Sequence, residues 1–214
     1  MKLLRTEDSK VELERLFVRI MTVCHDQQTK TIMITSCHEG EGTSTFAFNF
    51  SQALTERVPG GVLLVDTNLN HPAIGKAFQV GGTLGLADVI SGTIPLEAAL
   101  HETEIRNLKI LTVGNGSLSP FTLFNSQEFK NCLEEFRKGF QFIVFDSAPI
   151  IPYSDSLYLS SKVDIILLVI EAEKTRWEVV QEGIQKLENA GSKVFGVVLN
   201  KKKYHIPGFI YKWL

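Results

Sequence analysis

Six short apolar runs, at residues 31–35, 62–65, 108–113, 142–145, 165–170 and 194–199, limit the fold of this chain more than any other feature. None alternates cleanly with polar residues, so each reads as a strand buried on both faces. Stretches of helical period separate most of them. Strands alternating with helices build a parallel sheet, because a parallel crossover needs a connection long enough to hold a helix. The expected fold class is α/β, a single doubly wound, mostly parallel sheet with helices on both faces. No linker, repeat or low-complexity tract interrupts residues 1–214, which read as one domain.

The helical stretches carry their own punctuation. Ser9 with Glu12 forms a capping box, and Leu13, Leu16, Phe17, Ile20 and Cys24 fall on one stripe, which predicts an N-terminal helix over about residues 9–24. A second helix turns Phe46, Phe50, Ala53 and Leu54 inward and stops at Pro59-Gly60-Gly61. Ser126 caps another, with Phe129, Cys132, Leu133 and Phe136 inside. Thr175 with Glu178 makes a further capping box, and Gly191 ends that helix.

Composition matters mainly for what it excludes. A net charge of −2 gives no overall attraction to nucleic acid, so no such partner is expected. The apolar runs are too short to span a bilayer, and the N-terminus has no apolar leader, which predicts a chain that is not exported. Cys24, Cys37 and Cys132 are odd in number and widely spaced, as expected of reduced thiols in a cytoplasm. Neither they nor the five histidines stand at metal-ligand spacing, so no zinc site is expected.

Ligands of open α/β sheets sit beyond the carboxyl ends of the strands, and three features lie there. The first is Ser36-Cys37-His38-Glu39-Gly40-Glu41-Gly42-Thr43-Ser44-Thr45, between the first strand and its helix. Gly40, Glu41, Gly42, Thr43, Ser44 and Thr45 are the candidate nucleotide-binding residues, whose backbone N–H groups and helix N-terminus would cradle phosphate oxygens. Ser44 is placed to coordinate Mg²⁺ through its hydroxyl. Thr43 stands where such loops carry the lysine that meets the β- and γ-phosphates. The second and third features are Asp66 and Asp146, each ending a buried strand. Strand-end carboxylates beside a phosphate loop hold the metal and polarise water in nucleoside-triphosphate enzymes. Asp66 and Asp146 are thus the candidate catalytic pair and, with Ser44, the candidate Mg²⁺ ligands.

With these motifs in this order, the sequence resembles the bacterial tyrosine kinases (BY-kinases) of capsule and exopolysaccharide synthesis, within the wider class of MinD/ParA-like ATPases. Those proteins carry Pro-Gly-Glu-Gly-Lys-Ser/Thr in the loop. Their second motif is an apolar run with Asp-x-Asp, Arg and Pro, and their third an apolar run with Asp and Pro. The matching stretches here are 39–44, 63–72 and 142–149. The likeness continues through Gly85-Leu86, Ser91-Gly92, Asp155, Lys174-Thr175-Arg176 and Gly196-Val197-Val198-Leu199-Asn200. The resemblance implies a P-loop NTPase fold, Mg-ATP or Mg-ADP as ligand, and a place near the adenine for Asn200.

The departures gather at the same site. Thr43 replaces the lysine, Asn68 the second aspartate and Asn70 the arginine, while Glu39 puts a negative charge where relatives have Pro. A lost charge-assisted contact to phosphate is worth about 1.5–3 kcal/mol, roughly 10- to 100-fold in affinity or rate. Relatives join subunits through Glu-x-x-Arg-x-x-Arg; Glu12 and Arg15 match, Val18 does not, and only weak homo-oligomerisation is expected. Tyr204 and Tyr211 are too few for the terminal tyrosine cluster of the autokinases. The basic and aromatic tail, 201–214, reads either as a docking segment for a membrane or membrane partner or as a segment packed back on the domain.

The foremost reading is a catalytically impaired, pseudokinase-like protein with Asp66 and Asp146 vestigial and Mg-nucleotide weakly bound or absent. It would regulate capsular or exopolysaccharide synthesis or export by binding a membrane polysaccharide co-polymerase (chain-length determinant) or a kinase paralogue. It would be cytoplasmic, peripheral to the inner membrane through that partner. The first alternative is an active ATPase or tyrosine autokinase in which another lysine replaces the missing one, Lys30 and Lys76 being nearest in sequence. The second is a MinD/ParA-like positioning ATPase.

Overall fold

The computed structural model describes residues 7–23, 30–80, 84–116 and 118–202. Strand β1 (Lys30–Ser36) lies inside the sheet, paired in parallel with β5 (Phe142–Asp146) on one side and β6 (Ile165–Glu171) on the other. Strand β5 pairs outward with β2 (Val62–Asp66), β2 with β4 (Leu108–Leu111), and β6 with β7 (Gly196–Asn200), all in parallel. Strand β3 (Leu100–Glu102) adds the far edge, antiparallel to β4. The order is β3-β4-β2-β5-β1-β6-β7 in one seven-stranded sheet, the expected α/β fold with a mostly parallel sheet. Parallel strands finish at one edge, so the ends of β1, β2, β5, β6 and β7 face the same side of the molecule.

Alternation along each strand feeds two cores. Ile32, Ile34, Leu64, Val144, Leu167 and Val169 turn to one face, where Phe46, Phe50 and Leu54 of α2 (Thr43–Thr55) and Ile20 of α1 (Glu7–Val23) cover them. Met33, Leu63, Val65, Ile143, Phe145, Ile166 and Leu168 turn to the other. There they meet Phe129, Cys132, Leu133 and Phe136 of α7 (Gln127–Gly139) and Val180 and Leu187 of α9 (Trp177–Asn189). The apolar runs were unbroken because both faces of the sheet are dry.

The smaller elements differ from the sequence expectation in instructive ways. Strand β3 was not expected, since three residues at an antiparallel edge carry no apolar run. Strand β4 stops two residues early because the carbonyls of Thr112 and Val113 accept from Leu86 and Ala87 N–H instead of a neighbouring strand. Between β2 and β3 lie α3 (Ile74–Ala77), α4 (Leu86–Ile90) and α5 (Leu96–Ala99), as the broken helical pattern suggested. Two further short helices, α6 (Pro120–Asn125) and α8 (Asp155–Ser160), were not foreseen. Ser126 caps α7 as expected, its Oγ accepting from Phe129 N–H.

Two expected caps are corrected. Helix α1 begins at Glu7, which places Ser9 inside it. Helix α9 has Arg176 at its N-cap, and Thr175 points its hydroxyl at Glu41 instead. Gly191 does end α9, with φ 79°. Glu12 and Arg15 form a 2.7 Å pair on the exposed face of α1. Cys24 and the tail from residue 203, including Tyr204 and Tyr211, lie outside the described residues.

Phe136 is fully buried between α7 and the sheet, whereas Phe121 is 60% exposed. Phe136→Ala is expected to lower the denaturant-derived stability by about 3–5 kcal/mol, and Phe121→Ala by less than about 1 kcal/mol. Equal costs would contradict the assignment of the second core.

Candidate functional site

The loop between β1 and α2 is shaped by two glycines and braced from within. Gly40 and Gly42 have φ of 79° and 95°, which favours residues without Cβ. Gly42 is doubly constrained, since a Cβ there would stand 2.2 Å from Asn200 Nδ2. Gly42 forms the N-cap of α2 with no side-chain cap, and so the first N–H groups of that helix are left for another acceptor. The Glu41 carboxylate turns inward, accepting from Cys37 N–H at 2.8 Å and His38 N–H at 2.9 Å through one oxygen and from the Thr175 hydroxyl through the other. Asn200, at the end of β7, donates its amide to the Glu41 carbonyl at 2.8 Å. Both side chains thus hold the loop's shape.

A cleft of about 450 Å³ opens over this loop. Gly40, Gly42, Thr43, Ser44 and Thr45 line one side, and Glu39, Asn68, His71, Ser147, Pro149 and Lys201 contribute to the rest. Of the expected nucleotide-binding residues these five line the cleft, whereas Glu41, buried with its carboxylate turned inward, and Asn200, bonded to the Glu41 carbonyl, do not.

The two strand-end carboxylates lie beneath. Register pairs Asp66 with Asp146 across β2 and β5, and both are fully buried. Asp66 is well supplied with donors, accepting from Ala73 and Ile74 N–H at 2.9 Å each and from Asn68 N–H at 3.2 Å. Asp146 is not: neither of its oxygens has a hydrogen-bond partner. Burial above all, and then the Asp66 charge, push the Asp146 carboxyl well above the ordinary carboxylate range; the nearby Ser44 hydroxyl eases it down without closing a bond. Burial also raises Asp66, against the three N–H donors and the Lys76 charge.

An orphaned buried carboxylate beside a second carboxylate and a serine hydroxyl fits a hydrated Mg²⁺, which uses one or two carboxylates, waters and substrate phosphates. Among the described residues no group of three or more His, Cys, Asp and Glu side chains is gathered for a metal.

The positions that depart from the resemblance are tied into local structure. Asn68 Oδ1 accepts from His71 N–H at 3.0 Å, and Asn70 donates to Asp155 at 2.9 Å. Glu39 accepts from the Tyr153 hydroxyl at 2.6 Å and lies 3.2 Å from His71 Nε2, a cluster at the cleft mouth that no local motif announced.

Neither lysine suggested as a substitute reaches the cleft. Lys30 is buried at the opposite end of β1, over the Phe142 ring, and Lys76 is exposed on α3. The lysine that does line the cleft is Lys201, whose Nζ is 2.5 Å from the Gly40 carbonyl. The sequence reading places it in the basic tail 201–214, and its position over the loop corrects that assignment for Lys201.

No protein-family model matches the chain. Tyrosine-protein kinase YwqD of Bacillus subtilis is 32% identical over 178 residues, which cover 83% of this chain and 75% of that protein. The crystal structure of the VpsO kinase domain matches 92% of this chain and 98% of its own at 33% identity and a TM-score of 0.79. The septum site-determining protein MinD of Pyrococcus horikoshii, solved with Mg-ADP, matches 86% of this chain and 76% of its own at 24% identity and a TM-score of 0.66, a likeness of fold alone. The mostly parallel sheet with its helices has the P-loop NTPase fold, and the chain belongs to the bacterial tyrosine kinase family.

Proposed function

We propose that this protein is a catalytically impaired BY-kinase-like regulator of capsular or exopolysaccharide synthesis or export. In this reading it retains a weakened Mg-nucleotide site and acts by binding a membrane chain-length determinant or a kinase paralogue. The observation that carries the reading is the contrast within one cleft. Beneath it Asp146, unpartnered and paired across the strands with Asp66, lies near the Ser44 hydroxyl, a set that would suit Mg²⁺, while Thr43 stands at the start of α2 where the resemblance places a lysine.

In this reading Ser44 would hold Mg²⁺ through its hydroxyl, with Asp66 and Asp146 supplying the carboxylates, directly or through water. The ion, when bound, would neutralise phosphate charge. The loop N–H groups and the α2 N-terminus orient the phosphates. What the chain lacks is a loop cation that follows charge into the transition state, and a second carboxylate at position 68. Asn68 already serves the turn at His71 and cannot accept a proton as a carboxylate would.

Family membership supports the partner reading, as do the exposed apolar side chains of Phe121, Trp177 and Leu199. Among the described residues no helix is long and apolar enough to cross a membrane, so in this reading the membrane is reached through the partner, from the cytoplasmic side. The active-kinase alternative has one observation in its favour, the Lys201 ammonium in the cleft.

Phosphotransfer assays separate the two. The wild type is expected to show no autophosphorylation or ATP turnover above background. Thr43→Lys should tighten Mg-ATP about 10- to 100-fold. Sustained wild-type turnover would overturn the impaired reading. Co-purification of the tagged protein with the chain-length determinant of its own genome is the expected partner result. A deletion strain with polymer of full length and no recoverable complex would contradict it.

Acid–base linkage offers a further check. A carboxyl raised in the folded state stabilises at low pH and loses that contribution as pH climbs through its folded value. The Mg-free unfolding midpoint should therefore fall as pH rises from the ordinary carboxylate value of 3.8 through about 6, where Asp66 titrates in the folded state. Mg-nucleotide should restore it, and Asp146→Asn should flatten the slope. A midpoint that rises with pH in the wild type would refute the buried-pair electrostatics.

A further inference from the structure

Resting on the reading that the cleft takes a Mg-nucleotide, we propose that Lys201 holds the nucleotide's phosphates in place of the missing loop lysine, delivered from the end of β7. Its Nζ donates to the Gly40 carbonyl at 2.5 Å and to Glu171 Oε2 at 3.0 Å. Its Cε passes within 3.9 Å of where a Cβ on Gly42 would stand, immediately before the Thr43 position. The ammonium therefore reaches across the strand end onto the loop from which a lysine is missing.

The backbone is set for this reach. Lys201 has φ 55°, a left-handed conformation that costs a non-glycine residue energy and needs support from its surroundings. That support comes from Asn200, whose Oδ1 accepts from Lys201 N–H at 2.9 Å while its amide grips the Glu41 carbonyl. One residue thus fastens the loop and turns the next residue's side chain over it. Lys174, which shares Glu171, is 73% exposed and does not line the cleft.

The Gly40 carbonyl is a neutral acceptor, and a phosphate oxygen is a stronger one for an ammonium. Nucleotide entry would let Nζ exchange the carbonyl for phosphate while Glu171 keeps hold of it. A charge shared with Glu171 and anchored outside the loop contributes to binding more than to the developing transition state. Retained affinity with lost turnover follows from this geometry.

Isothermal titration of the full chain with Mg-ADP tests the assignment separately from the reading beneath it. The wild type should bind, Lys201→Met should bind about tenfold or more weakly, and Lys201→Arg should stay near the wild type. Adding Thr43→Lys to Lys201→Met should recover the loss, because the loop then carries its own cation. Wild-type binding that Lys201→Met leaves unchanged overturns the assignment and leaves the nucleotide reading standing. A loss that Thr43→Lys fails to recover also overturns it, since Lys201 would then brace the loop at Gly40. Absence of wild-type binding overturns both.

Discussion

Two aspartates held side by side in a dry place govern the architecture around them. The pairing of β2 with β5 puts Asp66 opposite Asp146, and the pairing of β1 with β5 puts Ile34 opposite Asp146, just before the glycine loop. Two like charges buried together cannot both ionise without compensation. Asp66 is compensated by three backbone N–H groups; Asp146 has none. The pair either keeps a proton or shares a cation. The sheet register, the turn after β2 and the glycine loop all converge on that choice.

The loop above the pair is held from the far half of the sheet. Glu41 reaches Thr175 beyond β6, Asn200 reaches the Glu41 carbonyl from β7, and Lys201 reaches Gly40. A loop braced at so many points holds its shape without help from the side chain at position 43. Asn68 and Asn70 are themselves tied into the scaffold, Asn68 accepting from His71 N–H at the turn and Asn70 donating to Asp155.

The parts of the fold legible in the sequence were those written in local patterns. Unbroken apolar runs marked the buried strands, and an Asp at the end of two of them marked the carboxylate pair. Ser126 before an amphipathic stretch marked a true cap. Thr175 before Glu178 had the same look, but its hydroxyl was claimed by Glu41, 134 residues away, and the helix started later. Lys201 reads in sequence only as part of the basic tail 201–214, because its partner Gly40 is 161 residues distant and no motif links them. Strand β3 was silent because an edge strand half open to solvent needs no apolar run. Long-range pairing decided the cases of Thr175 and Lys201.

The central claim is that the Asp66–Asp146 pair with Ser44 is a kept divalent-metal site beside a phosphate loop without its lysine. A crystal structure of the protein grown with Mn²⁺ and ADP, using the anomalous signal of manganese, tests it most directly. One manganese peak bonded to Ser44 Oγ, on the Asp66–Asp146 side of the cleft, with ADP phosphates on the loop, is the expected result. ADP bound without metal, or a manganese peak away from these three residues, would contradict it.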